Sequence, residues 1–155
     1  KSQAPLERAV QDLRAKGYDA HVVFGDSADE DTIDEVCRLV SRRNPDLPSD
    51  WADLLSEEKV FDACLIDGDH RYKAVMRDFD TYAPWCHLVA LHDIDGHGVV
   101  QKRSGLPVEV PQAWAEIKER GYYRTEEIIG SERGMGIGLV LSRAGEVDPE
   151  DGDEG

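Results

Sequence analysis

A short apolar segment that leads straight into charged side chains constrains the fold of this chain more than any other feature. Residues 61–66 are mostly apolar and have the length of a buried strand. Asp67, Asp69 and His70 follow at once around Gly68, where the backbone can turn sharply. Ligands of an open α/β sheet bind beyond the carboxyl ends of its strands, so this turn is predicted to lie in a functional site.

A second segment repeats this pattern. Residues 87–92 form another apolar run that ends in His92, and Asp93 comes next. Neighbouring parallel strands end at the same edge of a sheet, so the carboxylates and imidazoles that follow the two runs are expected to meet. Such a group of side chains predicts either a metal-assisted site or an acid–base site.

Helical and extended patterns alternate along the rest of the chain. Apolar residues at helical spacing predict helices at about 5–16, 32–41, 72–82 and 111–120, and a short one around 51–55. Strands are predicted at 20–24, 61–66, 87–92, 122–129 and 135–141, the last two joined as a hairpin through 130–134. Helices between most strands indicate an α/β fold, with a mostly parallel sheet, helices on both faces and an antiparallel closing hairpin.

The net charge limits the partners that the chain can bind. Its 33 acidic and 18 basic residues give a formal net charge of −15, which repels nucleic-acid phosphates and anionic lipid. The acidic, glycine-containing stretch at 143–155 is expected to be a disordered tail. No apolar run reaches the roughly 18 residues of a membrane helix, and no apolar signal segment follows the amino terminus, so a cytoplasmic protein without membrane contact is expected.

Four segments, taken in their order, resemble parts of one enzyme family, the class I S-adenosylmethionine-dependent methyltransferases. They are residues 22–27, 61–72, 88–93 and 134–140. The most specific is Ile-Asp-Gly-Asp-His-Arg-Tyr at 66–72, which is similar to an IDGDHxY motif that follows the fourth strand in an O-methyltransferase-like group. The resemblance covers about residues 5–142. It implies a three-layer, Rossmann-like sheet of strand order 3-2-1-4-5-7-6 with the last strand antiparallel.

The resemblance also implies that part of such a domain is missing. Residues 20–24 take the place of the third strand, 61–66 of the fourth and 87–92 of the fifth, and the closing hairpin supplies the sixth and seventh. The first two strands and the glycine-rich cofactor turn have no counterpart, so residues 1–142 are expected to be the carboxyl-terminal part of the domain. An unpaired sheet edge would be exposed, and homodimerisation through it is expected.

Roles for the residues after the strands follow from the same resemblance. Asp67, His92 and Asp93 correspond to the ligands of a divalent ion, Mg²⁺ or Mn²⁺, in the metal-dependent members. An imidazole suits Mn²⁺, Fe²⁺ or Zn²⁺ better than Mg²⁺, which prefers oxygen. The ion would lower the pKa of a substrate hydroxyl, and His70 would take the proton as general base. Asp69 is expected to cap the turn rather than to bind the ion.

The resemblance brings Gly25, Asp26 and Ser27 to the adenine of S-adenosylmethionine, because the loop after the third strand borders the purine in this family. Asp26 would then accept a hydrogen bond from the adenine amino group. Taken alone, the same residues predict a turn in which Asp26 caps a backbone amide. The residues alone leave both interpretations open, and the resemblance favours binding to adenine.

Three functions are open from the sequence. The favoured one is S-adenosylmethionine-dependent methylation of a hydroxyl on a small molecule or sugar, because the motifs occur in the order of that family. The second is a metal-dependent hydrolase or oxygenase that uses Asp67, His70, His92 and Asp93. The third is a truncated scaffold that binds a partner without catalysis.

Overall fold

The computed structural model describes residues 3–43, 60–101, 104–121, 123–130 and 136–143. The chain divides into two compact units with their boundary between residues 54 and 55, so the predicted interval 1–142 is shared between them. No helix in the described parts of the chain is long and apolar enough to cross a bilayer. Three predicted features lie outside the described residues: the short helix around 51–55, the tail beyond residue 143 and most of the hairpin loop.

The first unit contains two helices, α1 (Ala4–Ala15) and α2 (Glu30–Arg43). Each begins and ends within two residues of its prediction. Pro5 lies in the first turn of α1, where its missing N–H needs no partner. Each helix buries one side chain, Val10 in α1 and Cys37 in α2, which agrees with the apolar stripe expected of an amphipathic helix.

The strand predicted at 20–24 does not form. This segment lies in neither helix nor strand, and Phe24 at its end is 42% exposed. Residues such as Val22 and Val23 favour a strand only when a neighbouring strand completes the backbone hydrogen bonds. Within the described residues no strand of the sheet pairs with this segment. The prediction of a third strand here is therefore wrong.

The second unit is an α/β arrangement around one four-stranded sheet. In chain order its elements are β1 (Phe61–Ile66), α3 (Tyr72–Tyr82), β2 (Cys86–His92), α4 (Val110–Glu119), β3 (Tyr123–Ile128) and β4 (Ile137–Arg143). A single 3₁₀ turn, Ala83–Trp85, joins α3 to β2. The sequence predictions for the six elements are confirmed to within two residues at every end.

The sheet is mixed. Its order is β1-β2-β4-β3, with β1 parallel to β2, and β4 antiparallel to both of its neighbours. Leu91 of β2 lies opposite Ile66 on one side and opposite Gly138 on the other. The predicted antiparallel closing hairpin is thus confirmed. The prediction of a mostly parallel sheet is wrong for the described residues: one of their three strand pairs is parallel, and the two pairs that include β4 are antiparallel.

The core lies on one face of the sheet, beneath both helices of the second unit. Phe79 of α3, Leu91 of β2 and Ile117 of α4 are completely excluded from solvent. Trp114 of α4 packs directly against β4 at Gly138, where a Cβ atom would lie 2.8 Å from carbons of the indole ring. Contacts this close require glycine, so the backbone of β4 itself forms part of the core surface.

The opposite face of the sheet is more exposed. Leu65 on β1 and Ile128 on β3 are 63% and 57% exposed, and the described residues of this unit place no helix on that face. The two helices of this unit both contribute to the core on the buried face of the sheet, and the three-layer arrangement stays a prediction. β1 is an edge strand of the described sheet, and dimerisation through its edge stays a prediction.

A surface carboxylate joins β3 to α4. Glu127 accepts hydrogen bonds from Lys118 Nζ at 2.6 Å and from Trp114 Nε1 at 2.7 Å. These two donors, the lysine first, hold the pKa of the Glu127 carboxyl below its ordinary value of 4.5. A carboxyl whose pKa is lowered by folding stabilises the fold above its ordinary pKa. That contribution is lost as the pH falls through the lowered pKa.

We expect a Glu127→Gln variant to be less stable than the wild type at neutral pH, by about 1 kcal/mol or less because the pair is partly exposed and screened. The difference should shrink as the pH falls below 4.5, because the wild-type carboxyl then loses its charge. Urea unfolding at a series of pH values measures this. Glu119→Gln, which removes an exposed carboxylate at the end of α4, is the control. A difference that stays constant across the acid range would contradict the assignment.

Candidate functional site

Two strand ends bring together the four residues that were predicted to meet. β1 and β2 run parallel with their carboxyl ends side by side. Asp67 follows β1, His92 is the last residue of β2 and Asp93 comes next, while His70 lies in the turn that leads to α3. We call Asp67, His70, His92 and Asp93 the Asp–His ring.

Each imidazole of the Asp–His ring lies between the two carboxylates. His70 Nε2 is 3.3 Å from Asp67 Oδ1, and His70 Nδ1 is 3.2 Å from Asp93 Oδ2. His92 Nδ1 is 3.3 Å from Asp67 Oδ1 and 3.1 Å from Asp93 Oδ1. Two carboxylates this close together would repel one another. The imidazoles between them provide the polar groups that hold the pair in place.

The members of the Asp–His ring differ in their exposure to solvent. The exposed fraction of the side chain is 48% for Asp67, 29% for His92, 18% for His70 and 12% for Asp93. A ligand that arrives from solvent therefore meets Asp67 first. Asp93 lies on the buried side of the site, where water screens its charge less than at Asp67.

The backbone at Asp93 adopts a sparsely populated conformation. Its φ is +65°, and among the described residues it is the one non-glycine residue with a positive φ. Two backbone hydrogen bonds hold this turn: Gly96 N–H donates to the Asp93 carbonyl at 3.1 Å, and Ile94 N–H donates to the Gly136 carbonyl at 3.2 Å. Strain of this kind persists only where the surrounding structure imposes it, and it is concentrated at functional sites.

Three buried atoms of the Asp–His ring have no hydrogen-bond partner among the described residues: His70 Nδ1, His92 Nδ1 and Asp93 Oδ1. Their neighbours are close enough, but the contacts are poorly directed. Unsatisfied buried polar atoms are rare and point to catalysis or to a bound ion or water. These atoms have the chemistry of metal ligands. However, no set of three or more His, Cys, Asp or Glu side chains in the described ranges converges as a preformed metal site.

The geometry limits how His70 can act as a base. Both of its ring nitrogens face carboxylates, so a substrate must displace one of them. Asp67 is the one that can move, because its side chain is 48% exposed whereas that of Asp93 is 12% exposed. A hydroxyl that replaces Asp67 at Nε2 meets an imidazole whose other nitrogen faces the buried Asp93. A carboxylate behind the histidine favours action as a general base; Asp93 Oδ2 lies 3.2 Å from Nδ1 but not in the direction of a hydrogen bond.

Asp69 caps the turn, in agreement with its expected role. Its Oδ1 accepts a hydrogen bond from the backbone N–H of Arg71 at 3.0 Å, and the Arg71 guanidinium pairs with the same carboxylate. These contacts, with the guanidinium contributing most, hold the pKa of Asp69 below its ordinary value of 3.8. Asp69 is thus engaged with its own turn and is not a member of the Asp–His ring.

Gly25, Asp26 and Ser27 lie in the first unit, in a turn that precedes α2. Asp26 Oδ1 accepts a hydrogen bond from the backbone N–H of Ala28 at 3.2 Å. Gly25 lies against α2, since a Cβ atom there would be 2.0 Å from Thr32 Oγ1. The turn that these residues predict by themselves is therefore formed, and their binding to adenine stays a prediction.

Sequence patterns do not single out Glu109, although it contacts the turn that carries His70. Tyr72 N–H donates to Glu109 Oε2 at 2.8 Å across 37 positions of the chain, and Glu109 N–H donates to the His70 carbonyl at 2.8 Å. No periodicity links positions so far apart. The one available signal is that Glu109 lies just before a predicted helix that starts with a proline.

Comparisons with known proteins identify no relative of this chain. No protein-family model, no curated protein and no solved structure matches it. The order of the strands and the side chains of the Asp–His ring are the features of this chain that bear on its function.

Proposed function

We propose that this chain is part of an S-adenosylmethionine-dependent methyltransferase domain that methylates a hydroxyl of a small molecule or sugar. The strand order carries the proposal. In the order β1-β2-β4-β3, the last strand lies antiparallel between its neighbours, as the sequence resemblance implies for strands 4-5-7-6. The Asp–His ring lies at the carboxyl ends of the two parallel strands, where ligands bind in open α/β sheets.

The Asp–His ring is assigned to the acceptor hydroxyl. The hydroxyl displaces the exposed Asp67 from Nε2 of His70 and gives its proton to that nitrogen. Asp93 lies 3.2 Å from Nδ1 of the His70 imidazole and stabilises the imidazolium that results. S-adenosylmethionine, when bound, supplies the methyl group that the hydroxyl oxygen attacks.

The proposal assigns no complete cofactor site to the described residues. Asp26 already accepts a hydrogen bond within its own turn, and the family's glycine-rich turn has no counterpart in the sequence. No step is therefore assigned to Gly25, Asp26 or Ser27. The acceptor side of the reaction is the part that we assign to this chain.

A divalent cation is a second candidate ligand of the Asp–His ring. The unpartnered buried atoms belong to two imidazoles and a carboxylate, donors that suit Mn²⁺ better than Mg²⁺. Asp67, His92 and Asp93 would hold such an ion, which would polarise a bound hydroxyl. A metal-dependent hydrolase would use the same residues. The donors do not converge in the described structure, so proton transfer without a metal is our primary proposal.

Isothermal titration calorimetry with S-adenosylhomocysteine tests the proposed function. The titration uses this chain and a form extended upstream of Lys1, each with and without Mn²⁺. We expect binding by the extended form and weak or no binding by this chain, because this sequence lacks a glycine-rich turn for the cofactor.

Binding by neither form would count against methyl transfer. The metal-dependent alternative would then gain support if Mn²⁺ binds, if Asp67→Ala abolishes that binding and if Asp69→Ala does not. Asp69 is the matched control because it lies in the same turn but is engaged with Arg71.

A further inference from the structure

Glu109 makes two contacts with the three-residue segment that carries His70. Its backbone N–H donates to the His70 carbonyl at 2.8 Å, and its carboxylate accepts the backbone N–H of Tyr72 at 2.8 Å. The residue is half-buried and lies immediately before α4. Glu109 therefore joins the start of one helix to the start of the other.

The carboxylate of Glu109 supplies a cap that α3 otherwise lacks. Arg71 is the N-cap residue of α3, and its side chain makes no capping hydrogen bond. The first N–H groups of a helix need acceptors from outside it, and a negative charge there also interacts favourably with the helix dipole. Glu109 provides both from a distant position in the chain, and its own backbone starts α4 by accepting the N–H of Ala113 at 3.3 Å.

We propose that Glu109 is a positioning residue for His70; this inference rests on the proposed function of the Asp–His ring. The turn between β1 and α3 is held at its first end by the pairing of β1 with β2. Glu109 holds its second end, at the backbone of His70 and Tyr72. With both ends fixed, the His70 imidazole stays between Asp67 and Asp93. Positioning of a base by a supporting shell of this kind is what precise catalytic geometry requires.

Three substitutions separate this role from simple capping of α4. Glu109→Gln keeps an oxygen that can accept the Tyr72 N–H. Glu109→Asp keeps the charge and is a good N-cap for α4, but it is one methylene too short to reach Tyr72. Glu109→Ala removes the acceptor altogether. The backbone bond to His70 is present in all three, so the variants isolate the side-chain contact.

Nuclear magnetic resonance of the imidazole rings and of the Tyr72 amide tests the proposal on the chain as it stands. We expect Glu109→Ala and Glu109→Asp to shift or broaden the ring signals of His70 and to speed exchange of the Tyr72 amide by about tenfold or more, since a hydrogen bond to a charged group is lost. Glu109→Gln should keep the His70 ring signals and the exchange rate of the Tyr72 amide as they are in the wild type. The ring signals of His21 and His87, which lie outside the site, serve as internal references.

Glu119→Ala is the matched control, because it removes an exposed carboxylate from the other end of the same helix. It should leave the His70 signals and Tyr72 exchange unchanged. Unchanged His70 signals in Glu109→Asp, together with faster Tyr72 exchange, would reduce Glu109 to a helix cap and overturn the proposal. None of these readouts needs the cofactor, so failure of the methyltransferase proposal in calorimetry would be seen separately.

Discussion

Replacing Asp93 with asparagine is expected to reduce the proposed hydroxyl methylation by about 100-fold or more, the range associated with loss of general base catalysis. Asp93 is the buried carboxylate behind His70, 3.2 Å from Nδ1. An amide at this position cannot stabilise an imidazolium as a carboxylate does. Asparagine tolerates a positive φ better than most residues, so the turn at φ +65° should keep its conformation.

Methyl transfer from labelled S-adenosylmethionine measures the effect, in whichever form of the protein binds the cofactor. Asp95→Asn is the matched control, because it removes a charge from the same turn outside the Asp–His ring. Urea unfolding of both variants checks that the fold is kept. Equal losses of activity in the two variants would show that the charge of the turn, not the contact with His70, is responsible.

Truncating Phe79 to alanine is expected to destabilise the second unit by about 3–5 kcal/mol, the usual range for removing a fully buried aromatic ring. Phe79 has no exposed surface, and its ring packs edge-on against Tyr123, with 5.4 Å between the ring centroids. Small domains are stable by only about 5–15 kcal/mol in total. The loss is therefore a large fraction of what keeps α3, and with it the turn of His70, on the sheet.

Urea unfolding followed by circular dichroism measures the expected loss. Leu65→Ala on β1 is the comparison, because Leu65 is 63% exposed and its truncation should change stability by about 0.5 kcal/mol or less. If the two variants lose similar stability, the core does not lie between the helices and the face of the sheet opposite Leu65.

Local patterns predicted the elements of the second unit well. Residues 61–66 and 72–82 form a strand and a helix at the predicted bounds, because apolar spacing reports directly on which face of an element is buried. The same method was wrong at 20–24, where Val22 and Val23 favour an extended chain. A strand also needs a partner, and pairing depends on residues far away in the chain.

The candidate site, too, was predicted in part from local patterns and in part was not. Apolar runs that end in Asp67 and in His92 and Asp93 predicted which residues would meet, because parallel strands bring their carboxyl ends to one edge. In the Asp–His ring, both nitrogens of His70 face carboxylates. The spacing of residues in the sequence did not predict this arrangement. Nor did it predict the contact of Glu109 with Tyr72.

The sequence by itself determined the helices and strands of the second unit and the chemical groups at the strand ends, because burial periodicity and side-chain type are local properties. Only the tertiary structure decided three further matters: that 20–24 is not a strand, that β4 lies between β2 and β3, and that Asp93 is the buried carboxylate. Each depends on contacts between residues distant in the chain, and such contacts are set by the packing of the whole unit.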